Sequence, residues 1–189
     1  MKHIVIFASG SGTNAQRIAE YFSATNIARV IMIYSNRADA YVLQRACKMD
    51  IPTVVFDRDD FYENDLVFDQ LDNLHPDLIV LAGFLWRVPE KIVRLFPKRI
   101  VNIHPALLPK YGGKGMYGEH VHRAVIENGE KESGITIHYV NEYYDEGAII
   151  LQAKCSVDDS ETPESLAEKI HELEYKYYPK VIEQILLRT

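Results

Sequence analysis

Two periods of hydrophobicity alternate along the chain. His3 to Ala8 (His-Ile-Val-Ile-Phe-Ala) is a nearly unbroken apolar run, as in a strand buried on both faces of a parallel sheet. Val30 to Tyr34, Ile51 to Phe56 and Leu78 to Ala82 repeat it. Helical spacing fills the intervals: Asn14 through Phe22, then Ala38 to Met49 with Ala40, Leu43, Ala46 and Cys47 on one side. Asp59 to Leu74 follows as one acidic helix, with Leu66, Phe68, Leu71 and Leu74 expected inward and the acidic face in water. Pro89 to Phe96 predicts a helix and Arg99 to Ile103 a strand that Pro105 ends, because proline has no N–H to give a sheet. Glu119 to Asn128 is helical in pattern. Gly134 to Val140 and Ala148 to Ala153 alternate as an antiparallel pair, and a long helix runs from Pro163. Strand–helix alternation of this kind predicts an α/β, doubly wound, mostly parallel, Rossmann-like sheet with an antiparallel C-terminal strand pair. Ligands of such sheets sit beyond the carboxyl ends of the strands.

Size and charge narrow the classes. The chain's 189 residues suit a single domain over 1–189, and its 47% apolar and 25% charged shares are those of a soluble globular protein. A net charge of −6 without a basic run argues against nucleic acid as a partner, so an anionic ligand must be held locally. The two cysteines, Cys47 and Cys155, form no disulfide framework and are expected as buried free thiols in a reducing cytoplasm. The opening Met-Lys-His does not read as a secretory leader, and no apolar run reaches membrane-spanning length.

Candidate chemistry gathers at the expected strand ends. Ser9-Gly10-Ser11-Gly12-Thr13-Asn14 lies between a strand and a helix, where backbone N–H groups at a helix N-terminus bind anions. The loop also spells Gly-x-Gly-x-x-Ala, but the second strand ends in Ser35-Asn36-Arg37 without the acid that NAD requires. Arg37 leaves a 2′-phosphate open, a phosphate monoester is the simpler ligand, and a tight turn without a ligand is the bland alternative. Asn102 and His104 are two apart on a strand, so they share a face. An amide can stabilise an oxyanion and an imidazole can move a proton near neutral pH, although capping or packing is the commoner use of such residues. Asp145, in Tyr143-Tyr144-Asp145-Glu146-Gly147, is a turn residue or a third polar partner. Four glycines between Tyr111 and Gly118 predict a mobile lid. His120 and His122 fall on different helix faces and do not read as a metal pair; no metal site is expected.

The order and wording of these segments resemble the folate-dependent formyltransferase family. They are Ser9 to Asn14, Tyr34 to Ala40, Leu81 to Phe84, Asn102-Ile103-His104-Pro105 with Leu107 to Tyr111, and Asp145-Glu146-Gly147 before Ile149 to Gln152. The resemblance implies that family's fold and formyl transfer from 10-formyltetrahydrofolate, as co-substrate, to the primary amine of 5′-phosphoribosylglycinamide (GAR) in purine biosynthesis. It implies Asn102, His104 and Asp145 as catalytic, with Asp145 raising the pKa of His104. It assigns Gly12, Thr13, Asn14 and Glu174 to GAR, and Leu85, Trp86, Arg87, Val88, Asn102, Val140 and Asp145 to the folate. The N-terminal half would bind phosphate, and the C-terminal half folate and the catalytic groups. Ala106 stands where relatives carry serine, and the segment Tyr111 to His120 is longer and richer in glycine. His120 corresponds to a family active-site histidine, and Arg58 is the nearest basic residue for the folate's glutamate tail. The other readings are methionyl-tRNA formyltransferase, expected to need a further C-terminal domain; formyltetrahydrofolate hydrolase, expected to carry an N-terminal one; and a non-catalytic phosphate-binding module. Small-molecule partners are expected, with no nucleic acid, no membrane, and a monomer or homodimer in the cytoplasm.

Overall fold

The computed structural model describes residues 1–143 and 145–188; Tyr144, part of the aromatic run before Asp145, lies outside them. The first half alternates strictly: β1 (Lys2–Phe7), α1 (Thr13–Ser23), β2 (Ala28–Ser35), α2 (Tyr41–Lys48), β3 (Thr53–Val55), α3 (Arg58–Tyr62), α4 (Leu66–Leu74), β4 (Leu78–Leu81), α5 (Glu90–Leu95) and β5 (Ile100–His104). Then come α6 (Glu119–Glu127), β6 (Glu132–Tyr139), β7 (Ile149–Ser156) and α7 (Pro163–Arg188). One sheet holds the strands in the order β3-β2-β1-β4-β5-β6-β7. Its first five strands are parallel, β6 lies antiparallel to β5, and β7 antiparallel to β6. The expected fold class is therefore the observed one. Strand order reverses direction between β1 and β4, so the loops after these two strands part there and leave a crevice.

The sheet is buried on both faces because alternate side chains feed separate cores. Ile4 and Ile6 join Val80, Val101, Ile18 and Ile182 on one face. Val5 and Phe7 join Ile79, Phe56, Phe61 and Leu71 on the other. Helix α7 is anchored to the first face by Tyr178, fully buried, whose hydroxyl lies 2.9 Å from the Leu81 carbonyl and 3.2 Å from that of Val101. One side chain thus holds the ends of β4 and β5 to the helix that carries Glu174.

Several boundaries depart from the periodicity. The segment expected as one helix from Asp59 to Leu74 is two, α3 and α4. Asp57 and Asp60 form a reciprocal cap at the first, and Asp65 in the left-handed region (φ 59°) breaks the path before the second. The break resets the helical phase: Val67 and Leu71 are fully buried, whereas Leu66, expected inward, is 41% exposed. The strand expected over Ile51 to Phe56 shrinks to an edge of three residues, and β7 runs three residues beyond Ala153. The cysteines are not both buried: Cys47 is exposed, one position past the stripe of Val42 and Ala46, and Cys155 is half-buried. Replacing Tyr178 with phenylalanine strips the hydroxyl from two buried carbonyls. The urea midpoint should fall by the equivalent of about 1–2 kcal/mol with an unchanged denaturant slope.

Candidate active site

A cleft of about 630 Å³ runs along the carboxyl edge of the sheet. Its walls come from the glycine loop after β1, the segment after β4, the end of β5, the glycine-rich segment Gly113 to Gly118, the turn around Asp145, and one face of α7. Gly12, Thr13, Asn14, Leu85, Trp86, Arg87, Val88, Asn102, His104, Val140, Asp145 and Glu174 all line it. The residues singled out in the sequence therefore share one cavity.

At its centre lies a buried carboxylate. Asp145, in the left-handed region at φ 54°, has a side chain 12% exposed. Its Oδ2 accepts a bond from the Gly113 backbone N–H at 3.0 Å and faces Nδ1 of His104 at 3.6 Å. Its Oδ1 faces Nε2 of His138 at 3.6 Å and Nδ2 of Asn102 at 3.4 Å. Burial opposes ionisation of Asp145, but the donor from His138, the neighbouring His104 and the Gly113 N–H prevail, so its pKa lies below the ordinary carboxylate value. His104 is 4% exposed, and its Nε2 lies 2.6 Å from the Tyr111 carbonyl. A carbonyl on one nitrogen and a carboxylate on the other both favour the doubly protonated ring. Burial outweighs them, and the net shift is downward. Asp145 acts in the expected direction, raising the pKa of His104, but burial is the larger effect.

His138 was not read as a site residue. It pairs with Asn102 across the antiparallel ladder, and Thr136 pairs with His104. Its Nδ1 lies 2.9 Å from the Tyr139 carbonyl, and its Nε2 lies 3.2 Å from Asn102 Nδ2 and 3.6 Å from Asp145 Oδ1. The alternation Ile-Thr-Ile-His, set against Asn-Ile-His in the neighbouring strand, was the signal that could have found it. The two histidines of α6 lie in different surroundings. His120 is exposed against Tyr117 and does not line the cleft, whereas His122 is 4% exposed, lines it, and has no partner for Nδ1. Burial, with His171 nearby, pushes His122 down to about 4.

The glycine loop forms one end of the cleft. Gly12 caps α1 at φ 74°, where a Cβ would come within 2.4 Å of Val42 Cγ2, so glycine alone fits. The first N–H groups of α1 have no partner within the helix and open towards an anion. Asn14 Nδ2 donates to Glu174 Oε2 at 2.8 Å. Glu174 is 6% exposed, and burial pushes its pKa up to about 7. At the opposite end, Leu85 and Arg87 are exposed, Trp86 is half-buried and Val88 is buried. Three backbone groups there are already engaged: the Leu85 N–H donates to Ser9 Oγ, the Arg87 carbonyl accepts from Tyr62 Oη, and the Val140 N–H donates to the Ile100 carbonyl. Arg58 sits over the rings of Tyr62 (5.1 Å) and Trp86 (5.6 Å), off the cleft wall. No group of three or more metal-ligating side chains occurs among the described residues.

Comparison with known proteins decides the family. The family model described as formyl transferase matches residues 2–182. This chain belongs to the formyl transferase family. Phosphoribosylglycinamide formyltransferase of Haemophilus influenzae is 42% identical over 96% of this chain and 86% of that protein. A chloroplastic protein of the same name from Arabidopsis thaliana is 41% identical over 96% of this chain, which spans 64% of that longer protein. Among solved structures, glycinamide ribonucleotide transformylase 1 from Symbiobacterium toebii superposes with a TM-score of 0.89 at 36% identity, covering 98% of this chain and 88% of that one. The formyl transferase resemblance read from Asn102-Ile103-His104-Pro105 and its companion segments is thereby borne out.

Glu174 and its pKa of about 7 have a consequence for stability. A carboxyl whose folded pKa lies above its unfolded value favours the fold below the unfolded value, and that contribution disappears as pH rises through the folded pKa. Glu174→Gln should therefore be more stable than the parent at pH 8, by up to about 3 kcal/mol, with the difference vanishing below pH of about 4.5. Denaturant titrations at the two pH values read it directly.

Proposed function

We propose that the chain transfers the formyl group of 10-formyltetrahydrofolate to the primary amine of GAR, giving formyl-GAR and tetrahydrofolate in purine biosynthesis. The observation that carries this reading is that an amide, an imidazole and a carboxylate from β5 and the 140–147 connection share one cleft with a glycine loop able to hold a phosphate ester. The relatives named phosphoribosylglycinamide formyltransferase support GAR as the formyl acceptor.

The amine nitrogen attacks the formyl carbon, and the carbonyl oxygen becomes an oxyanion. Asn102 and protonated His104 stabilise it. Of the two Nδ2 contacts of Asn102, the 3.4 Å one to Asp145 is the looser, so that N–H is the one free to turn to the oxyanion. Collapse then breaks the bond from the formyl carbon to N10. The amine has to lose a proton and N10 has to gain one, and His104 with Asp145 relays it. Burial lowers the pKa of His104, so the imidazolium forms as the ring takes the proton of the attacking amine, and Asp145 stabilises that charge. Gly12, Thr13 and Asn14 hold the phosphate. Glu174, next to Asn14, meets the amine end of GAR, where a carboxyl titrating at about 7 can accept a proton from an ammonium group. Leu85 to Val88, Val140 and Asp145 form the folate end, with 10-formyltetrahydrofolate as co-substrate and no metal.

The division of labour between halves is mixed: Glu174 from the C-terminal half meets GAR beside Asn14 of the N-terminal half, and Leu85 to Val88 from the N-terminal half complete the folate end. A single domain of residues 1–189 working in the cytoplasm suits this arrangement, and no helix among the described residues is long and apolar enough to cross a membrane.

The test mixes purified protein, GAR and 10-formyltetrahydrofolate and follows release of tetrahydrofolate. Consumption that needs GAR supports the reading; equal consumption without GAR would make the protein a hydrolase. His104→Ala should lower kcat by at least about a hundredfold, with a circular dichroism spectrum like the parent's. Asp145→Asn removes the carboxylate that favours the imidazolium. The limb of the kcat–pH profile that reports His104 should then move to lower pH, and an unmoved limb would remove Asp145 from the relay.

A further inference from the structure

Helix α2 meets the glycine loop from outside the cleft. The Val42 N–H donates to the Gly10 carbonyl at 3.1 Å, and the Val42 side chain fills the space where a Cβ on Gly12 would stand. One turn further along, half-buried Arg45 donates from Nε to the Ser11 carbonyl at 2.8 Å and from Nη1 to Gln16 Oε1. Its guanidinium lies 4.9 Å from the centre of the Tyr41 ring. These partners are neutral, and among the described residues no carboxylate pairs with Arg45. The other arginines near this end of the cleft are paired: Arg37 with Asp39 at 2.8 Å and Arg17 with Glu20 at 3.2 Å.

We infer that Arg45 is a positioning residue for the phosphate-bearing substrate and acts through the peptide bond between Ser11 and Gly12. In a trans peptide the carbonyl and the N–H point in opposite directions. A cation bonded to the Ser11 carbonyl behind the loop therefore sets the Gly12 N–H towards the opposite side, where the loop lines the cleft. The same bond polarises the amide and strengthens that N–H as a donor to an anion. Through Gln16, on the first turn of α1, the guanidinium also ties the loop to the helix whose N-terminus completes the anion site. Arg45 touches no substrate atom in this account. It raises affinity for the phosphate and leaves the formyl-transfer groups at the far side of the cleft unaltered.

The inference rests on the proposal that the loop binds the phosphate of GAR, and the test separates the two. Arg45→Ala should raise KM for GAR about tenfold, the scale of one hydrogen bond from a charged group. Its kcat and its KM for 10-formyltetrahydrofolate should stay within about twofold. Arg45→Lys, which keeps the charge and one donor, should recover part of the loss. Inorganic phosphate, titrated calorimetrically into both proteins, should bind the variant more weakly by a similar factor. An unchanged KM for GAR overturns the inference. So does a parallel loss of kcat and both KM values with a lowered Tm, which would make Arg45 a structural brace only. Should the parent fail to use GAR yet bind phosphate, the phosphate titration of Arg45→Ala alone decides: weakened binding supports the clamp, equal binding ends it. Should the parent bind neither, the inference falls with the reading beneath it.

Discussion

A carboxylate withdrawn from water has to be surrounded by donors, and the end of the cleft at β5 and β6 is built around that requirement at Asp145. The charge costs several kcal/mol to bury alone. It is met by a backbone N–H from the lid, an amide from β5, and imidazoles from β5 and β6. They come from three separate segments: the loop at Gly113, β5 and β6. The carboxylate thus ties the lid to the sheet, and it does so from a residue in a left-handed backbone conformation that costs about 1–3 kcal/mol by itself. Strain of this kind persists where the surroundings over-determine it, which four donors on one side chain accomplish.

The second buried carboxylate has the opposite environment. Glu174 accepts a bond from Asn14 and, among the described residues, pairs with no cation, and its pKa rises where that of Asp145 falls. Two acids in one cleft are thereby assigned different protonation states at neutral pH by the number of donors each receives. The one held ionised sits next to the buried His104 imidazole. The one titrating near neutrality sits at the end where an amine would enter. Sheet topology separates them: β5 and its partner β6 carry the first group, and α7, pinned by Tyr178 to β4 and β5, brings in the second.

Much of this was legible in the chain because it depends on local signals. Buried parallel strands advertise themselves as unbroken apolar runs, and the side of Asn102 and His104 follows from a period of two. Gly12 could be read as a loop residue, but not as the point where α2 packs, since Val42 reaches it only after the β2–α2 connection folds back. His138 escaped notice because its role depends on register between β5 and β6, which the spacing of either strand alone does not specify. That His120 and His122 part to different faces follows from helical spacing, but which of the two faces the cleft is set by the entry of the helix, here Gly118 at positive φ. The broken helix at Asp65 has the same cause: an unfavourable backbone angle at an acidic residue leaves little trace in hydrophobic spacing. The direction of the His104 shift could not be read at all, because it is a balance between burial and one carboxylate.

That balance recurs across the cleft and shapes how the fold responds to pH. A histidine whose folded pKa lies below its unfolded value stabilises the fold above the unfolded value and loses that contribution as pH falls. For His122 the window runs from 6.5 down to about 4. His104 and His171 are shifted in the same direction. Glu174 works against them, since its contribution is complete below 4.5 and disappears as pH rises to about 7. Between 4.5 and 6.5 the slopes from Glu174 and His122 have opposite signs and comparable size, so they largely cancel. Above 6.5 the histidines are neutral in both states and only the cost of ionising Glu174 remains. The fold therefore gives up stability in the pH range where a carboxylate near a substrate amine becomes useful, which places the cost of the reaction's groups on the same residues that would perform it.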